Sequence, residues 1–126
     1  MQKGATDAQA YLGLVVAIAG SKPRVSFGAW FTDVTSNDYT IADVATQHHF
    51  VFKRTGGYFY TYVDGVQRGS TIASSYDASG LTGRWNIGGG PTTVTNLNGA
   101  VKVFRYYPFA LSAAQVTANY AAGPIW

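Results

Sequence analysis

Short runs of apolar residues, many of them alternating with polar ones and broken by glycine, set the pattern of this chain. Arg24 to Phe31 alternates, with Val25, Phe27 and Ala29 on one side and Ser26, Gly28 and Trp30 on the other. That period of two is the mark of a strand. Tyr58 to Val63 alternates too, placing Phe59, Thr61 and Val63 on one face and Tyr58, Tyr60 and Tyr62 on the other. His49 to Arg54 is a short apolar strand that ends in charge, and Val66 to Ser74 follows as another. Thr55-Gly56-Gly57 and Asp64-Gly65 separate these runs, and both suit tight hairpins, whose central residues need positive φ. A meander of three antiparallel strands from His49 to Ser74 is therefore predicted. The apolar stretch Tyr11 to Gly20, rich in β-branched Val15, Val16 and Ile18, reads as a buried strand.

Farther along, Ser75 to Gly83 reads as polar loop, Arg84 to Gly88 as a short strand and Gly88-Gly89-Gly90-Pro91 as a turn. Gly99 to Tyr107 has large apolar groups on both faces, which predicts a strand packed on both sides. One helix is predicted, at the end. Ser112 and Gln115 form an S-x-x-Q capping box, Leu111, Val116 and Tyr120 can face the body, and Gly123-Pro124 stops the helix after about Ala122. One terminal helix on a strand-rich chain gives an all-β antiparallel sandwich, and 126 residues suffice for a single domain spanning 1–126.

Two segments carry a family resemblance. HHFVFKRTGGYFYTYVDGVQRGS resembles the W-H-H-V-A … Y-V-D-G signature of laminin-G-like, concanavalin-A-like domains. LNGAVKVFRYYPFALSAAQV resembles the closing signature of the same family, with Gly99, Val101, Arg105, Tyr107, Ala110, Leu111 and Ser112 in register. Together they span His48 to about Gly123. The resemblance implies a jelly-roll β-sandwich with a lectin-like binding role. It also implies that His48 and His49 are structural. Two departures stand out: Gln47 replaces the Trp before the histidines, and Lys102-Val103 replaces the Asp-Glu pair of the closing signature. Only 47 residues precede His48, so one or two front strands of the family fold are expected to be missing. An open edge would invite another chain, which favours a homo-oligomer or assembly component.

Composition narrows the chemistry. The chain has no Cys and no Glu; its six acids are all Asp. Disulfides, thiolate metal sites and cysteine nucleophiles are excluded. A glycosidase pair would have to be built from Asp alone. No G-x-S-x-G elbow occurs, and the triple glycine lacks the Gly-Lys-Ser/Thr of a phosphate loop. Asp33, Asp38 and Asp43 recur around the polar stretch DVTSND, read as a loop. Calcium could use such oxygens, yet no motif supports it, so no cofactor is expected and any metal ligands stay unknown. The net charge of +3 comes from few acids rather than clustered bases, which argues against a nucleic-acid partner. No stretch approaches the roughly 20 apolar residues of a membrane span. Lys3 with Asp7 makes a poor signal-peptide start.

The aromatics are the strongest binding feature, because Tyr and Trp anchor sugars and protein surfaces at low entropic cost. Loop or strand-end position selects Tyr39, Tyr76 and Trp85, with Asn37, Asp38, Asp77 and Asn96 as polar neighbours. The expected function is non-catalytic attachment to a glycan or protein surface. The chain starts at Met with no clear signal peptide, lacks Cys and holds this one domain. Those features point to an accessory virion protein, a capsid decoration or bacteriophage fibre component, at the virion or an extracellular surface. A purely structural cementing protein is the alternative, and a glycoside-active enzyme ranks below both.

Overall fold

The computed structural model describes the backbone of residues 2–4, 11–19, 22–30, 35–40, 45–73, 85–86 and 99–124, and the side chains of 45–73 and 99–124. Eight strands and one helix fall within these residues. Strands β1 (Gln2–Gly4), β2 (Tyr11–Ala19), β3 (Lys22–Trp30), β4 (Thr35–Thr40) and β8 (Trp85–Asn86) form one antiparallel sheet in the order β4-β3-β2-β1-β8. Strands β5 (Phe50–Thr55), β6 (Tyr58–Val63) and β7 (Val66–Ala73) form a second sheet as a simple meander. The two sheets meet where β4 approaches β7 and β3 lies across from β6.

Local chemistry explains the meander. Gly56 and Gly57 adopt φ of 58° and 76°, and the flanking Thr55 and Tyr58 are a ladder pair. Asp64 and Gly65 adopt φ of 53° and 78° between the paired Val63 and Val66. Positive φ at both central residues is the primed geometry that matches the twist of a hairpin. Alternation along β6 then divides its side chains. Phe59 and Thr61 are fully buried and Val63 nearly so. On the opposite face, Tyr62 packs with Leu111 and Val116, and Val51, Tyr60 and Tyr107 close around them. The C-terminal segment therefore covers one face of this sheet, leaving the Phe59 face for the other sheet.

Helix α1 (Ala113–Ala122) is capped as its sequence predicts. The Ser112 hydroxyl accepts from the Gln115 amide at 3.2 Å, and the Gln115 side-chain oxygen accepts from the Ser112 amide at 2.8 Å. Val116 is its fully buried residue. Tyr120 lies against the β6–β7 turn, where a Cβ on Gly65 would come within 3.1 Å of its ring. The Thr117 hydroxyl donates to the Gly65 carbonyl at 3.0 Å. Gly65→Ala is thus expected to cost about 1–3 kcal/mol, from the positive φ and the displaced ring together. A melting curve unchanged from wild type would refute this account of how the helix seats.

Three sequence expectations need correction. Residues 100–107 hold no regular secondary structure and join neither ladder. Val101, Phe104 and Tyr106 are exposed there rather than packed on both sides. Strand propensity is a fit to a neighbouring pleated surface, not an intrinsic backbone preference. Conversely, the polar stretch at 35–40 is strand β4, not loop, because β3 provides its ladder from Gly28↔Ser36 to Arg24↔Thr40. Lastly, among the described residues four strands precede His48, where the sequence pattern reveals only the two that became β2 and β3.

Candidate binding surface

The Asp64-Gly65 turn does more than reverse the chain. The Asp64 amide donates to the His49 carbonyl at 2.9 Å, and the His49 amide donates back to Asp64 Oδ1 at 2.9 Å. The His48 ring donates through Nδ1 to Asp64 Oδ2 at 2.8 Å. One carboxylate thereby ties the entry of β5 to the β6–β7 turn. Burial raises the Asp64 pKa, but the His49 amide, the His48 hydrogen bond and the nearby imidazoles outweigh it, holding the carboxyl below its ordinary value. The His49 ring stacks on Tyr120 with centroids 6.0 Å apart. Burial lowers its pKa; Asp64 opposes the shift and Arg105 reinforces it, leaving the ring below its ordinary value. The two histidines bracket one carboxylate from different sides, which is a structural clamp. Among the described residues, no group of three His, Cys, Asp or Glu side chains could hold a metal.

A second cluster lies on the helix-side face of β5–β7. Register brings Lys53 opposite Tyr60 and Tyr62 opposite Gln67. The Lys53 ammonium sits 4.7 Å from the Tyr60 ring centroid and 5.4 Å from that of Tyr62. A chain of contacts follows: Lys53 Nζ to Tyr62 Oη at 3.5 Å, Tyr62 Oη to Gln67 Oε1 at 3.4 Å, and Gln67 Nε2 to Thr71 Oγ1 at 3.2 Å. Tyr58 at the end of the same row is 45% exposed. Tyr62 is buried in this cluster and Tyr60 half-buried, so what it offers outward is Tyr58, Gln67 and Thr71 beside the half-buried Lys53.

A laminin-G family model, described as the Concanavalin A-like lectin/glucanases superfamily, matches residues 3–117. The chain belongs to the concanavalin A-like lectin/glucanase superfamily. No curated protein and no solved structure matches it. Superfamily membership makes the fold a β-sandwich, in keeping with the antiparallel sheets and the single described helix. It leaves the choice between binding and hydrolysis open, since the superfamily's name covers both lectins and glucanases.

The departures from the superfamily signature now have locations. Gln47, in the place of the signature Trp, is exposed, so a polar side chain costs nothing there. Lys102 is exposed and Val103 is half-buried.

Of the residues selected from sequence, those described lie at the two ends of the five-stranded sheet. Asn37, Asp38 and Tyr39 lie in β4 opposite Phe27, Ser26 and Val25 of β3. Trp85 lies in β8 opposite Lys3. Tyr76, Asp77 and Asn96 fall outside the described residues, as do Asp33 and Asp43. Lys53, Tyr60, Gln67 and Thr71 were not selected from the sequence. The alternation of YFYTYV already gave the tyrosines one face, but placing Lys53 and Gln67 beside them required the strand register.

Proposed function

We propose that this chain is a non-catalytic binding module with a jelly-roll strand arrangement, attaching to a glycan or protein surface through aromatic side chains. The observation that carries the reading is exposed Tyr58 beside half-buried Tyr60 on one sheet face, with the Lys53 ammonium held over the Tyr60 ring. Aromatic faces next to polar groups suit the C–H faces and hydroxyls of sugars, and equally suit protein interface anchors. One feature of the sequence and one of the structure support binding over hydrolysis. The chain has no Glu, and Asp64 is engaged by both histidines. Tyr39, Tyr76 and Trp85, with Asn37, Asp77 and Asn96, belong to the proposal as a further contact set. A virion setting and a homo-oligomeric state are proposals of the same standing, and no cofactor is proposed.

A second reading, a structural cementing protein without glycan binding, is favoured by one feature. Residues 99–110 present Val101, Phe104, Tyr106 and Phe109 to solvent, and exposed apolar groups in one segment suit burial by a neighbouring chain.

Glycan-array binding tests the first reading, combined with light scattering for the second. Wild-type protein is expected to bind, and Tyr58→Ala, Tyr39→Ala, Tyr76→Ala or Trp85→Ala should each be scored. Loss of one anchoring ring should weaken binding about tenfold or more. No loss in any of the four variants would overturn the aromatic sites. A stable monodisperse monomer would overturn the cementing reading.

A further inference from the structure

We propose that helix α1 is an acid-released cover on the β5–β7 sheet, with the His49 ring as its trigger. The inference is independent of what the module binds.

A few side chains hold the helix in place. The His49 ring stacks on Tyr120, with centroids 6.0 Å apart and planes inclined by 27°. Tyr120 also lies over Gly65, and the Thr117 hydroxyl donates to the Gly65 carbonyl at 3.0 Å. One turn before Tyr120, Val116 is fully buried with Tyr62 and Leu111. Among the described residues, no backbone hydrogen bond ties the helix to the meander. The meander keeps its own two ladders whether or not the helix is seated. An element fastened by side chains to a sheet that is complete without it can open as a unit.

His49 is the point where acid acts. Its Nδ1 is buried and has no hydrogen-bond partner. A neutral imidazole meets that condition by keeping its hydrogen on Nε2 and leaving a lone pair at Nδ1. The imidazolium carries a hydrogen on both nitrogens, so protonation places a charged N–H where nothing accepts it. The neighbouring charges do not offset this. From the β6–β7 turn, Asp64 favours the charged ring, but Oδ1 already accepts the His49 amide and Oδ2 the His48 ring. From the entry of β5, His48 therefore competes for the same carboxylate. From the segment before the helix, the Arg105 guanidinium opposes a second positive charge. From the helix, Tyr120 covers the ring. The ring gains its proton most readily in a form where Tyr120 has moved off and water reaches it, and acid selects that form.

Release changes what the sheet presents. When Val116 leaves, Tyr62 loses its cover and joins exposed Tyr58 and half-buried Tyr60 on the same face. The open form thus shows a continuous row of three tyrosines that the seated helix interrupts. The sign follows from burial, which holds His49 below its ordinary value of 6.5 while the helix is seated. Opening takes up one proton, so the open fraction grows by at most about tenfold per pH unit as pH falls from the ordinary value to that of the seated ring.

Hydrogen exchange of the full chain, followed by mass spectrometry and corrected for the intrinsic exchange rate, tests the switch from about pH 7.5 to about pH 5.5. Wild-type amides in the last two turns of α1 are expected to lose protection severalfold, while the ladder amides of β6 keep theirs. His49→Phe retains a ring against Tyr120 but cannot titrate, and should hold the helix protection level across the range. Arg105→Gln removes the opposing cation and should shrink the loss. Helix protection that ignores pH in wild type overturns the proposal. So does a parallel loss in α1 and β6, which means that the chain opens as a whole. A full loss that persists in His49→Phe assigns the response to another group, such as His48, and removes His49 as the trigger. Should His49→Phe fail to fold, Arg105→Gln decides, and an unchanged loss there overturns the proposal as well.

Discussion

Phe59→Ala is expected to destabilise the chain by about 3–5 kcal/mol, the range for deleting a buried aromatic ring. Phe59 is fully buried on the central strand of its sheet, with Arg54 opposite it on β5 and Ile72 opposite it on β7. The Arg54 guanidinium lies 6.0 Å from the ring centroid, so truncation removes its aromatic support as well. Neither flanking strand can collapse into the hole without breaking its own ladder. The neighbouring Tyr58→Ala is the built-in control. Tyr58 is 45% exposed on the other face, and its loss should cost within about 1 kcal/mol. Urea unfolding midpoints for the two variants measure the difference. Because a domain of this kind holds only about 5–15 kcal/mol in total, the Phe59 variant should lie visibly nearer its unfolding threshold. Equal losses would mean that β6 does not present Phe59 to the core.

The features legible in the sequence are those whose requirements are local. Positive φ at Gly56, Gly57 and Gly65 is a demand that a few residues satisfy by themselves, so the hairpins follow from residue type. The Ser112–Gln115 box likewise closes within one helical turn. Strand β4 was not legible, since TSNDYT has no apolar alternation and becomes a strand by pairing with β3. Residues 100–107 show the converse. GAVKVFRYY has the composition of a strand but joins neither ladder, so its apolar groups stay largely exposed. In both cases the deciding partner lies elsewhere in the chain, where a reading of composition and period does not reach.

The binding surface follows the same division. The common face of Tyr58, Tyr60 and Tyr62 is written in the alternation. Lys53 reaches that face because the Thr55–Tyr58 pairing sets Lys53 against Tyr60, and a one-residue slip would send the ammonium to the opposite face. Thr71 depends on the bulge around Gly69, which shifts the register by more than the pattern of β7 reveals. The glycine turn thus contributes to the site indirectly: Gly56 and Gly57 fix the register that places the cation. The family signature lies in this hairpin, since the same Y-V-D-G run supplies the core residue Tyr62 and closes on Asp64.

Asp64→Ala is expected to cost about 2–4 kcal/mol. The carboxylate accepts from the His48 ring at 2.8 Å and from the His49 amide at 2.9 Å, and hydrogen bonds to a charged group contribute about 1.5–3 kcal/mol each before the discount for partial exposure. Alanine at a φ of 53° adds left-handed strain. Asp64→Asn separates these terms, because Asn tolerates that φ and keeps one accepting oxygen, so it should lose less. Acid supplies a second readout. Both Asp64 and His49 are held below their ordinary values of 3.8 and 6.5. For each, the unfolded chain takes up its proton first, so the stabilisation is fully present above the ordinary value and is lost as pH falls through the folded one. Wild-type melting temperature should therefore begin to fall below pH 6.5 as His49 resists protonation, and fall again below pH 3.8 as Asp64 does. Asp64→Asn should remove the lower step. It should also deepen the upper one, because the Asp64 charge is what favours a protonated His49 in the fold. An unchanged lower step in Asp64→Asn would show that the acid response arises elsewhere and that the carboxylate does not clamp the turn to the entry of β5.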